Sequence, residues 1–354
     1  MPDERTASGR LEPPTGAAWK ALGAAVVGYE KVSAFSGKRR PATVPVSREI
    51  VMLVDEVTPL ADAVAGLRLV AADRAELPPW LPGEHLDLLL PSGRLRQYSL
   101  CGDPADRSCY RIAVRRIADG GGGSREVHDV LRTGSVLTVR GPRNAFPFIT
   151  VERYLFVAGG IGITPIRPMV QDAIRRGADW SFVYTGRTRA SMPFLDELTA
   201  LDPRRVHIWP DDEFGVPSGA KILATAPDGA ALYCCGPPPM VDAIRAEIPA
   251  ENIATLHYER FSPPPVAGGA EFEIQLARSG RVVAVGAEQS ALAALRAVIP
   301  AVAYSCQQGF CGTCPVAVLD GQVEHHDRCL TDHDRESRMA ICVSRGQGRI
   351  TLDL

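Results

Sequence analysis

The sequence has no long hydrophobic run, little net charge and no low-complexity tract, and each absence excludes a class of protein. No segment approaches the ~20 apolar residues that a membrane-spanning helix needs, so we expect no membrane span. A net charge of −2 gives no reason to expect nucleic acid as a partner. The 33 glycines and 29 prolines are dispersed along the chain, which excludes a low-complexity segment.

A secretory signal is also missing from the sequence. The N-terminal residues 1–5 lack a basic start followed by an apolar stretch. Nine cysteines without such a signal favour a reducing compartment, so we expect a cytoplasmic protein. With 354 residues and 45% hydrophobic content, the chain is too long for one ordinary core and suits two or three domains. We expect it to be a monomer.

The C-terminal region contains cysteines with C-x4-C-x2-C spacing, at Cys306, Cys311 and Cys314. This spacing is typical of a plant-type [2Fe–2S] ligand loop. Gly309 and Gly312 lie between the cysteines, where a missing Cβ lets backbone N–H groups approach the cluster sulfurs. The fourth thiolate must lie some tens of residues downstream, so that a returning strand can close around the irons.

Two downstream cysteines compete for the fourth position. Cys342 lies in the strand-like stretch Met339–Ser344, which can hold a sulfur rigidly, whereas Cys329 lies in an acidic, turn-like stretch. We therefore predict Cys342 as the fourth ligand. The adjacent His325 and His326 are interpreted as solvated turn residues.

Two other metal sites are less consistent with this loop. Zinc sites generally use two close Cys/His pairs, and Cys311 with Cys314 is one such pair without a second. A Rieske centre needs two histidines in place of two cysteines, and no cysteine of the loop has a histidine within three residues.

Residues 49–149 contain short alternating strands broken by glycine and proline, a pattern that predicts an antiparallel barrel. One strand offers a guanidinium for a phosphate, a phenol that can stack on an aromatic ring, and a hydroxyl. A glycine-rich loop, Gly120–Gly123, is followed by a serine and could hold an anion on its N–H groups. The candidate cofactor-binding residues here are Arg96, Gln97, Tyr98, Ser99, Leu100, Gly122, Gly123 and Ser124.

Residues 150–262 alternate strands with helical stretches, which indicates a parallel α/β sheet with ligands at the carboxyl ends of its strands. The apolar strand Arg153–Ala158 runs into a glycine turn and a predicted helix that has Thr164 as N-cap and Pro165 as its first residue. This combination makes a pyrophosphate site. The candidate nucleotide-binding residues are Gly159, Gly160, Gly162, Thr164, Pro165, Arg187, Cys235, Gly236, Pro237 and Met240.

The remaining segments complete the domain prediction. Residues 1–48 form an arm with a probable amphipathic helix, because apolar residues recur there at spacings of three and four. Residues 263–269 begin with a proline run typical of a stiff linker. Residues 270–354 carry the cysteine loop and form the predicted ferredoxin domain.

Three motifs resemble those of one family: R-x-Y-S-L-x-x-D-P at 96–104, G-G-x-G-x-T-P at 159–165 and C-G-P-x-x-M at 235–240. In this order, with the cysteine loop, they are similar to the phthalate dioxygenase reductase and vanillate O-demethylase reductase branch of the ferredoxin–NADP reductase superfamily, the class IA Rieske oxygenase reductases. The resemblance covers roughly residues 49–354. The sequence departs from the branch at Gly121, where many members have arginine. Pro165 is a departure only from the general dinucleotide motif G-x-G-x-x-G, where it stands in place of the third glycine.

The resemblance implies an antiparallel flavin barrel, a parallel-sheet nucleotide domain and a C-terminal β-grasp [2Fe–2S] ferredoxin domain. It implies FMN rather than FAD as the flavin. It also implies three catalytic positions: Ser99 beside the flavin, Cys235 beside nicotinamide C4, and Phe261 as the aromatic that covers the flavin face. Arg187 could pair with a 2′-phosphate, yet it matches the Y-x-x-R of NADH-using members, so we predict NADH, with NADPH as the alternative.

The three cofactors predict an electron-transfer enzyme. NADH gives two electrons as a hydride and a [2Fe–2S] cluster accepts one, so a flavin must stand between them. By resemblance, the acceptor is a separate Rieske-type oxygenase. The alternatives are a cytochrome P450 partner, or a redox sensor or electron-storage module without NADH turnover.

Overall fold

The computed structural model describes residues 49–118, 122–248, 253–261, 269–300, 302–304, 307–309 and 312–354. All of them belong to one unit, Arg48–Leu354, and they form three β-sheets in chain order. The predicted arm, residues 1–48, lies outside the described residues, as does the predicted linker apart from Gly269. Among the described helices, none is long and apolar enough to cross a membrane.

The first sheet is a six-stranded antiparallel sheet with one short helix beside it. Its elements are β1 (Glu49–Ala61), β2 (Val64–Ala71), β3 (Glu84–Leu89), β4 (Leu95–Ser99), β5 (Tyr110–Arg115), α1 (Gly123–Val130) and β6 (Val136–Asn144). The strand order is β4-β3-β6-β1-β2-β5, and a bridge between Leu100 and Ile112 brings the two edge strands together. Alternate residues such as Met52 and Val54 are fully buried in the interior, as the period of a strand requires. The predicted antiparallel barrel is confirmed.

The second sheet is parallel and has helices on both faces. Its elements are β7 (Arg153–Gly159), α2 (Ile163–Arg175), β8 (Asp179–Gly186), α3 (Leu195–Thr199), β9 (Val206–Pro210), α4 (Asp211–Phe214), α5 (Gly219–Leu223), β10 (Ala230–Cys235), α6 (Pro238–Glu247) and β11 (Ile253–Glu259). Every residue of the interior strand β10 is buried, because two separate apolar clusters pack on its two faces. The strand order is β11-β10-β7-β8-β9, so the order reverses between β7 and β10, where such sheets bind ligands.

The third sheet is mixed and folds around one helix. Its elements are β12 (Phe272–Leu276), β13 (Val282–Val285), α7 (Ala291–Val298), β14 (Pro315–Glu324), α8 (Asp332–Arg335), β15 (Arg338–Ala340) and β16 (Arg345–Leu352). Strands β12 and β16 pair in parallel, and the other pairs in the order β13-β12-β16-β14-β15 are antiparallel. Helix α7 buries Leu292 and Leu295 in the core of this sheet. The predicted β-grasp fold is confirmed.

Three local predictions differ from the structure. Gly123 and Ser124 begin helix α1 instead of ending a loop, because Gly122, with φ of +79°, turns the chain into the helix. Helix α2 begins at Ile163 after a 3₁₀ turn, so Thr164 lies inside the helix and its hydroxyl donates to the Ile161 carbonyl (3.0 Å) instead of capping. Strand β15 ends at Ala340, which places Cys342 in the turn that follows.

Arg345 ties the entry of the third domain to its sheet. The side chain is buried, and its guanidinium donates to the carbonyl oxygens of Gln289 (2.8 Å), Ala270 (2.7 Å) and Gly286 (3.1 Å). It also lies over the ring of Phe272, 5.1 Å from the ring centroid. Three backbone carbonyls from separate segments therefore share one buried cation.

Arg345→Met should lower the free energy of unfolding of the third domain by roughly 2–3 kcal/mol, because it removes three charge-assisted hydrogen bonds from a buried guanidinium. The matched control is Arg349→Met on the same strand. Its ion pair with Glu273 (2.7 Å) is exposed and should be worth less than about 1 kcal/mol. Urea unfolding of both variants measures the difference, and equal losses would contradict the role given to Arg345.

Candidate functional site

The glycine motif after β7 and the Cys-Gly-Pro motif after β10 are in direct contact at the reversal point of the second sheet. A Cβ added to Gly162 would lie 2.1 Å from the carbonyl oxygen of Cys235, and one added to Gly159 would lie 2.5 Å from Pro237. A Cβ on Gly236 would lie 3.1 Å from the backbone of Gly159. The two motifs approach each other closely because these positions lack side chains. The predicted nucleotide-binding residues are therefore brought together.

The N-terminus of α2 opens onto the same point. The residues before it turn sharply, with Gly160 at φ of +54°, and the first N–H groups of this 13-residue helix have no carbonyl partner within the helix. Thr164 is buried, and Pro165 lies in the first turn. Met240 closes the far side, where its sulfur lies 3.4 Å from the Thr185 hydroxyl. The Ile163 N–H donates to the carbonyls of Gly160 and Ile161, and a helix start that follows a glycine turn suits a pyrophosphate.

Cys235, which is buried, and Glu259, which is half-buried with its Oε2 atom inaccessible to solvent, lie side by side at the carboxyl ends of β10 and β11. The two residues are register neighbours in the parallel ladder, and Cys235 is fully buried. Burial, with Glu259 nearby, raises the pKa of the Cys235 thiol well above its ordinary value. Burial also raises the pKa of Glu259 to about 8. Glu259 Oε2 has no hydrogen-bond partner among the described residues. Both groups are therefore protonated at pH 7, and Cys235 acts as a thiol, not as a thiolate nucleophile.

Sequence reasoning missed Glu259. The available signal was its position: an acidic residue directly after the apolar part of the last parallel strand, two residues before Phe261. Phe261 lies just beyond β11 and is 49% exposed, so its ring is available to cover a planar ligand.

The flavin strand β4 presents its side chains in two directions. Arg96 lies against the start of α1, since a Cβ on Gly123 would lie 2.5 Å from the Arg96 Nε. Tyr98 packs partly on the barrel core, and burial raises the pKa of its phenol. Arg96, Gly122 and Gly123 thus surround the N-terminus of α1, which suits an anion. The Ser124 hydroxyl accepts from the Ile117 N–H (3.1 Å) and closes the loop from within.

Gln97 and Ser99 face the other side of β4. Gln97 Nε2 lies 3.0 Å from the Asp87 carboxylate and 2.9 Å from Nε2 of His85, and all of Asp87 is buried. The Gln97 side-chain nitrogen therefore already has two partners inside the barrel. The assignment of Gln97 to cofactor binding stays a prediction. Ser99 is buried opposite His85. Leu100 is buried at the bridge to β5, so it has a packing role.

Two of the four predicted cluster ligands can be placed. Cys314 directly precedes β14 and Cys342 follows β15 by two residues, and Pro315 pairs with Ala340 in the antiparallel ladder. Both cysteines are buried at the same end of this ladder. Cys306 and Cys311 lie outside the described residues. Gly309 and Gly312 have φ of +78° and +68°, conformations that favour glycine in a tight loop.

Asp327 anchors the segment behind the cluster loop. Its side chain is fully buried and accepts from the Leu330 N–H (3.0 Å) and the Ser344 hydroxyl (3.2 Å). The next residue, Arg328, donates its N–H to the Gly309 carbonyl (2.8 Å). Cys329, the competitor of Cys342, is half-buried with its sulfur 3.9 Å from the Asp327 carboxylate. These hydrogen bonds join the cysteine loop, the turn at Asp327 and the segment that contains Cys342.

Contacts between domains bring the three candidate sites towards one another. Arg96 donates to the Tyr304 hydroxyl (3.0 Å), two residues before Cys306. Gln308, inside the cysteine loop, donates to the carbonyl of Arg260, which directly follows β11. The cysteine loop therefore touches both the flavin strand and the nicotinamide side of the second sheet.

The remaining predicted residue, Arg187, lies just after β8. The carboxylates of Asp211 and Asp212 follow the neighbouring strand β9, and the Asp212 N–H donates to the Arg187 carbonyl (3.1 Å). Burial raises the pKa of Asp211, and the charge of Arg187 opposes that rise. Acidic residues at this corner were also missed from the sequence.

Comparison with known proteins agrees with this arrangement. Residues 156–246 match the oxidoreductase NAD-binding domain, and residues 274–346 match the 2Fe-2S iron-sulfur cluster binding domain. The chain is 43% identical over 303 residues to the phenoxybenzoate dioxygenase subunit beta of Ectopseudomonas oleovorans, an alignment that covers 83% of this chain and 94% of that protein.

Solved structures give the same result. Phthalate dioxygenase reductase, described as a modular structure for electron transfer from pyridine nucleotides to [2Fe-2S], is 31% identical, with a TM-score of 0.66 and coverage of 86% of this chain and 98% of that chain. An intact type IV self-sufficient cytochrome P450 monooxygenase is 36% identical, with a TM-score of 0.67. That match covers 92% of this chain but 44% of the other, so this chain spans less than half of that longer protein. The chain belongs to the phthalate dioxygenase reductase branch of the ferredoxin–NADP reductase superfamily, the NAD-dependent reductase components of oxygenase systems.

Proposed function

We propose that the protein takes a hydride from NADH and delivers single electrons, through FMN and a [2Fe–2S] cluster, to a separate Rieske-type oxygenase that hydroxylates or demethylates an aromatic compound. The observation that carries this proposal is the meeting of the three sites through the Arg96–Tyr304 and Gln308–Arg260 contacts. Electron transfer needs its stations close together, and these contacts join the flavin strand, the nicotinamide side and the cysteine loop.

The flavin site fits FMN. Arg96 and the N–H groups at Gly122 and Gly123 would hold its single phosphate, and Tyr98, on the same face of β4 as Arg96, would contact its ring system. Ser99, the next residue of the strand, is the residue predicted beside the flavin. FMN, when bound, converts the two-electron hydride of NADH into the single-electron transfers that a [2Fe–2S] cluster accepts. Phe261 would cover the exposed face until nicotinamide displaces it.

The nucleotide site fits NADH. Gly160, Gly162 and the first N–H groups of α2 would bind the pyrophosphate, and Pro165 shapes the helix start. The close contact of Gly162 with Cys235 fixes the wall against which nicotinamide lies. Protein groups contribute mainly by holding the two rings in a reactive geometry.

The adenosine corner favours NADH over NADPH. Asp211 and Asp212 add two negative charges close to Arg187, and a 2′-phosphate entering there would be repelled by them. The positive charge of Arg187 then offsets the charge of these carboxylates and does not serve to bind a 2′-phosphate.

The cluster site fits a [2Fe–2S] group held by four thiolates. Cys314 and Cys342 lie buried at one end of the β14–β15 ladder, and Cys306 and Cys311 complete the predicted set. Cys329 packs instead beside Asp327.

Cys342→Ser should abolish the electron paramagnetic resonance signal of the reduced cluster, while NADH-dependent reduction of ferricyanide continues, because the flavin and nucleotide sites lie in other domains. Cys329→Ser is the matched control and should retain the signal. Loss of the signal in Cys329→Ser with its survival in Cys342→Ser would contradict the ligand assignment.

The purified wild-type protein should release FMN on denaturation, as measured by chromatography of the flavin. A wild-type protein that does not oxidise NADH would instead support a sensor or storage role.

Glu259 gives the nicotinamide wall a neutral hydrogen-bond donor at pH 7. Since its folded pKa is raised to about 8, the carboxyl carries a proton that the unfolded chain releases near 4.5. An O–H group beside Cys235 suits the carboxamide oxygen of nicotinamide. The folded protein keeps this proton up to about pH 8, whereas the unfolded chain loses it above about pH 4.5. The contribution to the free energy of unfolding is therefore fully present below pH 4.5 and declines as the pH rises to 8.

Glu259→Gln should therefore gain stability over wild type as the pH is raised from 5 to 8, by up to about 1.4 kcal/mol for each pH unit, with no further gain above pH 8. Glutamine keeps the shape and a donor but has no proton to lose. Urea unfolding at several pH values measures the difference between the two proteins. A difference that stays constant from pH 5 to pH 8 would contradict a buried, protonated Glu259.

The proposed partner is a separate protein. The chain covers nearly all of a dioxygenase subunit but less than half of a chain that also contains a P450. A P450 partner is the second candidate, because that longer chain is 36% identical to this one over its matched part. We also propose that the protein acts as a monomer in the cytoplasm, where its cysteines stay reduced.

The purified protein should support NADH-dependent product formation by a Rieske oxygenase of aromatic acids at a higher rate than by a P450. The measurement is product formed per NADH oxidised with each partner at equal concentration. Cytochrome c reduction without either partner is the control for an intact electron path. Tighter coupling to the P450 would overturn the Rieske assignment and leave the reductase assignment standing.

A further inference from the structure

Arg167 makes a contact that joins the nucleotide helix to the flavin strand. It lies on α2, one turn beyond the glycine motif, and its side chain is 16% exposed. Its Nη1 donates to the carbonyl oxygen of Cys101, two residues past Ser99. One guanidinium therefore connects the helix that begins at the pyrophosphate site with the chain that leaves the flavin site.

The guanidinium is braced on the nucleotide side. Its Nε donates to both oxygens of Glu197 (3.0 Å each) and its Nη2 donates to Oε2 (2.8 Å). Gln171 Nε2 holds the same carboxylate at 2.8 Å, and the ring of Phe194 lies 5.0 Å from the guanidinium carbon. A forked pair of this kind fixes direction as well as distance. Arg167 is thus held in place to reach Cys101.

The chain at Cys101 is rigid on the flavin side. The Leu100 N–H donates to the Glu84 carbonyl (2.9 Å), and the Cys101 N–H donates to the Arg111 carbonyl (2.9 Å). Cys101 is buried in a small apolar cluster that also contains Ile161 of the glycine turn and Phe194. Ser99 and Cys101 are therefore held in fixed positions relative to the barrel.

We propose that Arg167 is a positioning residue for hydride transfer, which sets the approach of nicotinamide to the flavin by locking the start of α2 onto the flavin strand. The inference rests on the proposed NADH-to-flavin reaction. On one side Arg167 fixes Cys101 and with it Ser99; on the other, Gly162 rests on Cys235. The distance across the cleft between Ser99 and Cys235 follows from these two contacts.

A surface ion pair alone would not have this effect. Glu197 is 41% exposed, and an exposed Arg–Glu pair contributes little to stability. The contact with the Cys101 carbonyl is different, because it crosses between two domains and ends two residues from the reaction. A displacement of about 1 Å at such a point can slow a reaction by ~100-fold.

The test compares Arg167→Ala and Arg167→Lys with the control Arg176→Ala in the purified, FMN-loaded protein. Arg176 ends the same helix, and its partners Asp172 and Thr150 lie on the nucleotide side. The measurements are the limiting rate of flavin reduction by NADH in anaerobic stopped flow, the NADH dissociation constant from its concentration dependence, and the charge-transfer absorbance of the reduced protein with NAD⁺.

Arg167→Ala should lower the limiting rate by ~10-fold to 100-fold and weaken the charge-transfer band, with a much smaller change in NADH affinity. Arg167→Lys should recover part of the rate, since it keeps a donor for Cys101 but loses the fork to Glu197. Arg176→Ala should behave as wild type. An unchanged limiting rate in Arg167→Ala, or a loss seen wholly in NADH affinity, would overturn the positioning role.

If Arg167→Ala fails to fold or to retain FMN, Glu197→Gln supplies the test, because it weakens the brace and leaves Arg167 present. A smaller fall in limiting rate and in the charge-transfer band is expected there. Wild-type values for both would overturn the inference. If NADH does not reduce the flavin of the wild-type protein, the proposed function itself is overturned. Failure of the proposed function is thereby distinguished from failure of the Arg167 inference.

Discussion

The close approach of Gly162 to the Cys235 carbonyl is the constraint on which the catalytic region depends. Two motifs more than seventy residues apart meet because β7 and β10 are neighbours at the reversal point of the sheet. The approach is closer than any side chain permits, since a Cβ on Gly162 would overlap the carbonyl. The glycine turn after β7 and the chain at Cys235 are therefore one rigid piece, and in the proposed function a nucleotide that spans them would be placed as a unit.

Arginine side chains make the contacts between domains, and each of them donates to a neutral acceptor. Arg167 reaches the Cys101 carbonyl in the flavin barrel, and Arg96 reaches the Tyr304 hydroxyl beside the cysteine loop. A guanidinium suits this task because its rigid fork can be braced on one side while another N–H crosses the gap. These directed hydrogen bonds thus help to hold the three candidate sites in a fixed relation.

The buried groups near nicotinamide are neutral at pH 7. Burial keeps both the Cys235 thiol and the Glu259 carboxyl protonated. A site built from neutral donors avoids isolated buried charges, which are costly in a low-dielectric environment. By contrast, the corner at Arg187 and Asp211, which we propose binds the adenosine, is charged and closer to solvent, and there charge would discriminate between NADH and NADPH.

The sequence by itself determined the features that depend on spacing along the chain. The C-x4-C-x2-C loop, the glycine motif after β7 and the Arg96–Leu100 strand are each contiguous, so their chemistry and their order were readable without neighbours. The barrel and the α/β sheet followed from strand and helix periodicity, and the β-grasp fold followed from the family resemblance. Tertiary structure decided what depends on distant segments. The occupied amide of Gln97, the buried acid Glu259 and the bridge from Arg167 to Cys101 all arise where strands or helices far apart in the chain pack together, because burial and hydrogen-bond partners are properties of that packing and not of local sequence.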